Sequence, residues 1–296
     1  MGNMVAITDV VLDFDGTCTQ IPLVYKDYLE RYRLKFVEVV ESLSESEWKE
    51  AQTIVCQVSP KAGWMVGGCP AAPAAADPYI LADESAKFVL RRRGKKNVPL
   101  PPLNASVYSA TPAPWRNEAL STFLRLIERG VRLHFISNSS TTMIQERLSQ
   151  LFGGNNSLPD AISVQSDAGK FRICELAWDE NILLPLEAQA RFLALPATYG
   201  DLSMQGLERP IYLRRGAYFE AIYRALRGNL DVLNSTVFCG DIWEMDLAMP
   251  YALGANVHFV ERAAPFQTYA YEREALKECG SRGKASADLS GLLEWL

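Results

Sequence analysis

The sequence predicts an α/β protein with a doubly wound parallel sheet, into which a second, mostly helical part is inserted. Two observations carry this prediction. From residue 115 to residue 260, short apolar runs alternate with amphipathic segments of helical period. The polar residues of chemical interest each follow directly after one of these runs, and ligands of parallel sheets bind outside the carboxyl ends of the strands.

The first part of the chain predicts one buried strand and then a helical insertion. Residues 10–12 are continuously apolar, which is typical of a strand buried on both faces. Ser44 or Ser46 is a suitable N-cap within the helical pattern that follows. The elements predicted here are helices across 23–56, a loop rich in glycine and proline at 59–78, a helix at 79–93 and a semi-rigid proline-rich linker at 98–114. Residues 18–110 are therefore predicted to form the insertion.

The rest of the chain predicts the core, which comprises residues 1–17 and 111–296. Helices are predicted at 115–129, 141–152, 217–227 and 246–253. Strands are predicted at 131–136, 161–164, 236–239 and 256–260, with a short extended piece at 211–213. Residues 174–210 give no clear pattern. His134 and His258 fall inside apolar strand-like runs, so they are expected to be core residues rather than catalytic bases.

Composition excludes several classes of protein. The 296 residues are 48% hydrophobic and 22% charged, as in ordinary globular proteins. With a net charge of −5, the chain is expected to bind neither nucleic acid nor membranes. The six cysteines form no CxxC pair, and no segment resembles a signal peptide or a transmembrane helix. We therefore expect reduced thiols and a cytoplasmic location, and the oligomeric state is left open.

The sequence DFDGT at the end of the first predicted strand is rich in polar side chains that can take part in a reaction. Asp13 and Asp15 would point the same way on an extended strand, so their carboxylates need a cation or a shared proton. Gly16 and Thr17 then turn the chain, and such a turn exposes backbone N–H groups that hold anions. This combination suits phosphoryl chemistry with Mg²⁺. The simpler alternative is a structural turn, which Asp-Gly pairs often mark.

Two further predicted strands end in polar groups. Ser137 and Asn138 offer a hydroxyl and an amide suited to phosphate oxygens. Asp241 follows the next strand end, and Asp246 begins a predicted helix, where a carboxylate is also a good N-cap. Carboxylates that converge on one sheet edge destabilise each other without a divalent cation. The sequence therefore predicts a Mg²⁺ site there.

These residues resemble the motifs of the haloacid dehalogenase (HAD) superfamily. The family's first motif, DxDGT, matches residues 13–17, its second matches Ser137, and its fourth, GDxxxxD, matches residues 240–246. The resemblance covers about 1–18 and 111–262. It implies a Rossmann-like HAD core, with the insertion at 18–110 as a helical cap domain.

The resemblance also implies residue roles. Asp13 would be the nucleophile that accepts the phosphoryl group, and Asp15 the general acid and later the base. Asp241 and Asp246 would hold Mg²⁺ together with Asp13 and the carbonyl of Asp15. Ser137 would bind the phosphoryl oxygens.

The family's third motif, a Lys or Arg that balances the charge, has no clear match. Arg214 and Arg215 directly precede a predicted helix shortly before the fourth motif, which is the usual place. Lys170, in the sequence SDAGKF, is the rival. On position along the chain we expect Arg215, or its neighbour Arg214, to supply the charge ahead of Lys170.

The implied activity is that of a Mg²⁺-dependent phosphomonoester hydrolase that acts through an aspartyl-phosphate on a small phosphorylated metabolite. Two alternatives stay open. A phosphomutase of the same superfamily shares these motifs, and a non-catalytic HAD-like domain would keep the fold for binding a partner. The presence of all the core carboxylates favours an enzyme.

Overall fold

The computed structural model describes residues 6–95, 98–154, 158–177, 184–199 and 207–296. Six parallel strands form one sheet, and a separate hairpin supplies two more. In chain order the strands are β1 (Asp9–Leu12), β2 (Gly63–Val66), β3 (Cys69–Pro73), β4 (Arg132–Ile136), β5 (Ile162–Gln165), β6 (Thr236–Gly240), β7 (Asn256–Val260) and β8 (Gly283–Ser286).

The α-helices of the described residues fall into two groups. Those of the insertion are α1 (Tyr25–Val37), α2 (Glu45–Val58), α3 (Pro78–Arg92) and α4 (Pro101–Ala110). Those of the rest of the chain are α5 (Ala119–Glu128), α6 (Thr141–Leu151), α7 (Leu186–Leu193), α8 (Gly216–Ala225), α9 (Ala248–Ala252) and α10 (Ala270–Glu278). Each of these helices is too short or too polar to cross a bilayer.

The large sheet has the order β5-β4-β1-β6-β7-β8, and all of its pairs are parallel. Along β1, Val11 contributes to the apolar core on one face, where α7 to α10 pack. Val10 and Leu12 contribute to the core on the other face, where α5 and α6 pack. The alternation follows from the side-chain period of two in a strand. The predicted doubly wound α/β fold is confirmed.

The insertion has its own apolar cluster, which includes aromatic side chains of α1 and α2. The rings of Tyr32 and Trp48 are stacked, with centroids 5.8 Å apart. Ser44 is the N-cap of α2, because its side chain accepts a hydrogen bond from the Glu47 N–H at 3.1 Å. Phe266 of the core completes this cluster. The division of the chain into a core and an insertion of residues 18–110 stays a prediction.

Two expectations about secondary structure were wrong, and one strand was not predicted. The predicted loop at 59–78 contains the hairpin β2–β3, since Gly67 and Gly68 both adopt positive φ and form a two-residue turn. The predicted linker at 98–114 contains α4, because prolines in the first helical turn remove no intrahelical hydrogen bond. The strand β8 was missed because its sequence, GKAS, carries no apolar pattern.

Both histidines lie in the sheet, as expected. His134 on β4 is buried, with its ring nitrogens 2.8 Å from Asp9 and 2.7 Å from Ser163. His258 on β7 is also buried, and its Nε2 lies 2.7 Å from the Ser286 hydroxyl. Of the residues 174–210 that gave no pattern, 178–183 and 200–206 lie outside the described residues. Those between them include α7.

Candidate active site

The turn after β1 is shaped by a close approach to the end of β6. The backbone N–H of Asp13 donates to the carbonyl of Cys239 at 2.9 Å, which continues the pairing of the two strands. Gly16 adopts a φ of +85°, and a Cβ at this position would lie 2.5 Å from Oδ2 of Asp241. Only glycine fits both the backbone conformation and the space. The DxDGT turn and Asp241 are thus held side by side.

Asp246 reaches the same place from a π-helical turn at Trp243–Leu247. Its Oδ2 accepts a hydrogen bond from the Ile242 N–H at 3.0 Å. Gly240 makes room for it, since a Cβ there would lie 2.3 Å from the Cβ of Asp246. Asp246 therefore binds the backbone N–H of Ile242 with one oxygen and leaves the other for the carboxylate cluster. The N-cap interpretation was wrong, because Asp246 lies inside the π-helical turn and the N-cap of α9 is Leu247.

Three carboxylates meet at this edge of the sheet. Asp13, Asp241 and Asp246 each offer an oxygen, and these oxygens lie within 4.8 Å of one another. The hydroxyl of Thr17 lies between two of them, 3.0 Å from Asp13 Oδ2 and 3.2 Å from Asp241 Oδ1. Burial raises the pKa of Asp13 to about 7, and burial and the charge of Asp13 raise the pKa of Asp241 well above its usual range.

This cluster suits a hard divalent cation. All three candidate ligands are carboxylate oxygens, which Mg²⁺ prefers, and burial together with the neighbouring carboxylates raises the pKa of Asp13 and the pKa of Asp241. The carboxylate of Asp15 does not belong to the cluster. The resemblance implies that Asp15 offers its backbone carbonyl to the metal, and this role stays a prediction.

Among the described residues, Lys170 is the basic side chain that contacts the carboxylates of the cluster. It is buried, its Nζ lies 2.7 Å from Asp246 Oδ1, and the same Nζ is paired with Asp13 Oδ1. Although burial alone would lower the pKa of Lys170, the charges of Asp13 and Asp246 raise it above its usual range. Lys170 is therefore a cation held between two of the three carboxylates.

The preference for Arg215 and Arg214 over Lys170 is corrected by this placement. The Arg215 guanidinium is buried and donates to backbone carbonyls, including that of Ala71 at 2.8 Å. The Arg214 guanidinium donates to the carbonyl of Leu195 at 3.0 Å and pairs with Glu175. Lys170 follows β5, which pairs with β4, and so comes to the same sheet edge despite its distance along the chain.

Ser137 and Asn138 lie at the end of β4 and organise the neighbouring backbone. The Ser137 hydroxyl accepts from the Ser139 N–H at 3.1 Å. Asn138 Oδ1 accepts from the Lys170 N–H at 2.8 Å, which ties the Lys170 loop to the end of β4. The Asn138 side chain therefore helps to position Lys170, which carries the positive charge. Phosphate binding by either side chain stays a prediction.

Asp15 has two hydrogen-bond partners that were not predicted from the sequence. Its Oδ2 accepts from the hydroxyl of Tyr108, on α4, at 2.7 Å and from that of Ser139 at 2.8 Å. Burial raises the pKa of Asp15, although both hydrogen bonds oppose this shift. Ser139 had a sequence signal, because it is a further hydroxyl at the end of β4. Tyr108 had none, since it lies in the segment predicted as a linker.

A cavity of about 120 Å³ opens beside Gly16 and Asp241. Arg116, Arg262 and Asp77 line it as well. Burial raises the pKa of Asp77 to about 7, and Arg262 donates to the backbone carbonyl of Asp241. These three residues come from separate segments with no shared motif, so no sequence pattern groups them. The cavity borders one carboxylate of the cluster, that of Asp241.

No family model matches the chain, and no curated protein matches its sequence. Solved structures do match. A predicted phosphoglycolate phosphatase from Haemophilus somnus 129PT is 11% identical, with a TM-score of 0.51 over 99% of both chains. CbbY from Rhodobacter sphaeroides, in complex with phosphate, is 12% identical, with a TM-score of 0.48 over 97% of this chain and 96% of its own. The L-2-haloacid dehalogenase PA0810 is 12% identical, with a TM-score of 0.43 over 98% and 99%.

The protein has the fold of the HAD hydrolases, as its strand-end motifs implied. At these identities the likeness is one of fold. Any statement about the reaction therefore depends on the side chains at the edge of the sheet.

Proposed function

We propose that this protein is a Mg²⁺-dependent phosphomonoester hydrolase that acts through an aspartyl-phosphate on a small phosphorylated metabolite. The observation that carries the proposal is the position of Asp13. Its carboxylate is paired with the buried Lys170, belongs to the cluster with Asp241 and Asp246, and lies two residues before the protonatable Asp15. A nucleophile, a balancing cation, a metal site and an acid are therefore together.

Each residue then has a chemical task. The Asp13 carboxylate attacks phosphorus and the ester oxygen leaves, taking a proton from Asp15. Asp15 next removes a proton from the water that hydrolyses the aspartyl-phosphate. Lys170 stabilises negative charge on the phosphoryl oxygens. Mg²⁺, held by Asp13, Asp241 and Asp246 when bound, would supply further positive charge at these oxygens.

The insertion is proposed to act as a cap over this site. Tyr108 of α4 contacts Asp15 directly. The ring of Trp64 on β2 packs against Phe171, next to Lys170, with centroids 5.4 Å apart. The Arg215 guanidinium also ties the hairpin to the core through the carbonyl of Ala71. A cap in this position would exclude bulk water during phosphoryl transfer.

We also propose a cytoplasmic location. All six cysteines lie in the described residues and all are free thiols, which a reducing compartment maintains.

The activity is tested by phosphate release from p-nitrophenyl phosphate and from a panel of phosphorylated metabolites. Hydrolysis with turnover supports the proposal. Transfer of the phosphoryl group to a second position of the same sugar would identify a phosphomutase instead. The absence of both reactions, in protein shown to be folded and supplied with Mg²⁺, would favour a non-catalytic binding domain.

Removal of metal is expected to abolish activity. EDTA should stop phosphate release and Mg²⁺ should restore it, whereas Zn²⁺ should substitute poorly because all candidate ligands are hard oxygens. Full turnover in the presence of chelator would contradict the metal assignment.

The same site can be tested without turnover. Mg²⁺ should raise the melting temperature of the wild-type protein, since it binds the native carboxylate cluster and not the unfolded chain. Asp241→Asn should lose this rise. Asp160→Asn, at an exposed position away from the cluster, should keep it. An equal rise in Asp241→Asn would place the metal elsewhere.

A further inference from the structure

Tyr108 brings a side chain of the insertion to the end of β1. Its hydroxyl donates to Oδ2 of Asp15 at 2.7 Å, and the hydroxyl of Ser139 donates to the same oxygen at 2.8 Å. The two hydroxyl oxygens also lie 2.8 Å apart, so the three oxygens form a closed triangle. One donor comes from α4 and the other from the end of β4.

The second oxygen of Asp15 is in a different situation. Oδ1 is buried and has no hydrogen-bond partner among the described residues. A buried polar atom without a partner is uncommon and is often found at functional sites. Because two hydroxyls occupy the acceptor positions of Oδ2, Oδ1 is the oxygen that is free to carry a proton.

We propose that Tyr108 is a positioning residue for leaving-group protonation, an inference that rests on the proposed function. Together with Ser139 it holds Asp15 so that Oδ1 is the oxygen that exchanges the proton. In the first step the Oδ1–H bond breaks and an O–H bond forms on the departing ester oxygen. In the second step Oδ1 receives a proton from the attacking water, while the water oxygen bonds to phosphorus and the bond between Asp13 and phosphorus breaks. Tyr108 keeps its own proton throughout.

This assignment makes protonation of the leaving group depend on the insertion. Without α4 in place, Asp15 would lose one of the two donors that distinguish its oxygens. The chemical consequence depends on the substrate. An alkyl phosphate has a poor leaving group that needs the proton, whereas the p-nitrophenolate ion leaves readily without it.

The neighbouring Tyr79 provides a matched control. Its ring packs against that of Tyr108, with centroids 5.3 Å apart, so both tyrosines share one environment. The Tyr79 hydroxyl is buried and has no hydrogen-bond partner among the residues that the structure describes. Tyr79→Phe therefore repeats the chemical change of Tyr108→Phe without removing a contact to Asp15.

The experiment measures the single-turnover rate of leaving-group release by the full-length Tyr108→Phe and Tyr79→Phe proteins, with p-nitrophenyl phosphate and with an alkyl phosphate that the wild type hydrolyses. Tyr108→Phe should lower this rate by about tenfold with the alkyl phosphate and by less than about twofold with p-nitrophenyl phosphate, because only the alkoxide needs the proton. Tyr79→Phe should leave both rates unchanged. Asp15→Asn should show the same contrast with a larger loss on the alkyl phosphate, and its steady-state turnover should fall on both substrates because the base of the second step is lost.

An equal loss on both substrates, or no loss on either, would overturn the inference while leaving the phosphatase proposal intact. If Tyr108→Phe does not fold, Ser139→Ala is used instead, because it removes the other donor to Oδ2. Ser139→Ala should likewise lose more on the alkyl phosphate than on p-nitrophenyl phosphate. A wild-type protein with no activity on either substrate would overturn the proposed function, and this inference with it. The two kinds of failure are therefore distinguishable.

Discussion

Asp13→Asn is expected to abolish phosphate release, with a loss of about 10⁴-fold or more in kcat. The amide cannot form an acyl-phosphate as a carboxylate does, and it also removes one ligand of the carboxylate cluster. The measurement is turnover on p-nitrophenyl phosphate, together with the melting temperature. The fold should survive, because the substitution removes one negative charge from a site where three carboxylates meet a single buried lysine.

Asp160→Asn is the matched control for this substitution, because the residue is exposed and lies outside the site. It should retain full activity. Asp15→Asn should differ from Asp13→Asn by allowing slow aspartyl-phosphate formation from substrates with good leaving groups. More than a trace of turnover in folded Asp13→Asn would contradict the covalent mechanism.

Lys170→Ala is expected to lower kcat/KM by about 10²–10³-fold, equivalent to roughly 2–4 kcal/mol of transition-state stabilisation. The substitution removes the buried cation that pairs with Asp13 and Asp246. It also leaves those carboxylates less well balanced, so metal-free protein should melt at a lower temperature. Kinetics on one substrate and thermal melting measure the two effects.

The two arginines that the sequence favoured serve as controls. Arg214→Ala should leave activity unchanged, because its guanidinium contacts Leu195 and Glu175 rather than the carboxylates. Arg215→Ala should mainly lower stability, since a buried guanidinium bonded to carbonyls would be lost. A large kinetic loss in Arg214→Ala without any loss in Lys170→Ala would mean that the arginine, and not Lys170, supplies the balancing charge.

The sequence by itself determined the fold class and the centre of the candidate site. Hydrophobic periodicity is a local property, and it marked β1, β4, β6 and β7 because buried parallel strands must be apolar. The DxDGT turn could be identified from the sequence for a similar reason. Its carboxylates and its glycine are neighbours in the chain, so their mutual repulsion and backbone requirement could be judged without tertiary contacts.

Local patterns failed where the same residues permit two structures. Gly67 and Gly68 predict a loop by local pattern, although positive φ at both is also what a two-residue hairpin turn requires. The prolines before Asn104 predict a linker, although the first turn of a helix also tolerates them. Packing of the insertion against itself and the core decides these cases, and the sequence pattern does not include that packing.

Only the tertiary structure decided which side chains complete the site. Lys170 reaches Asp13 because β5 pairs with β4, which brings a distant loop to the same sheet edge. Tyr108 reaches Asp15 because α4 returns over the end of β1. Such contacts join residues far apart in the chain, and their formation depends on the whole fold. Chain position favoured Arg215, but three-dimensional position places Lys170 beside the carboxylates.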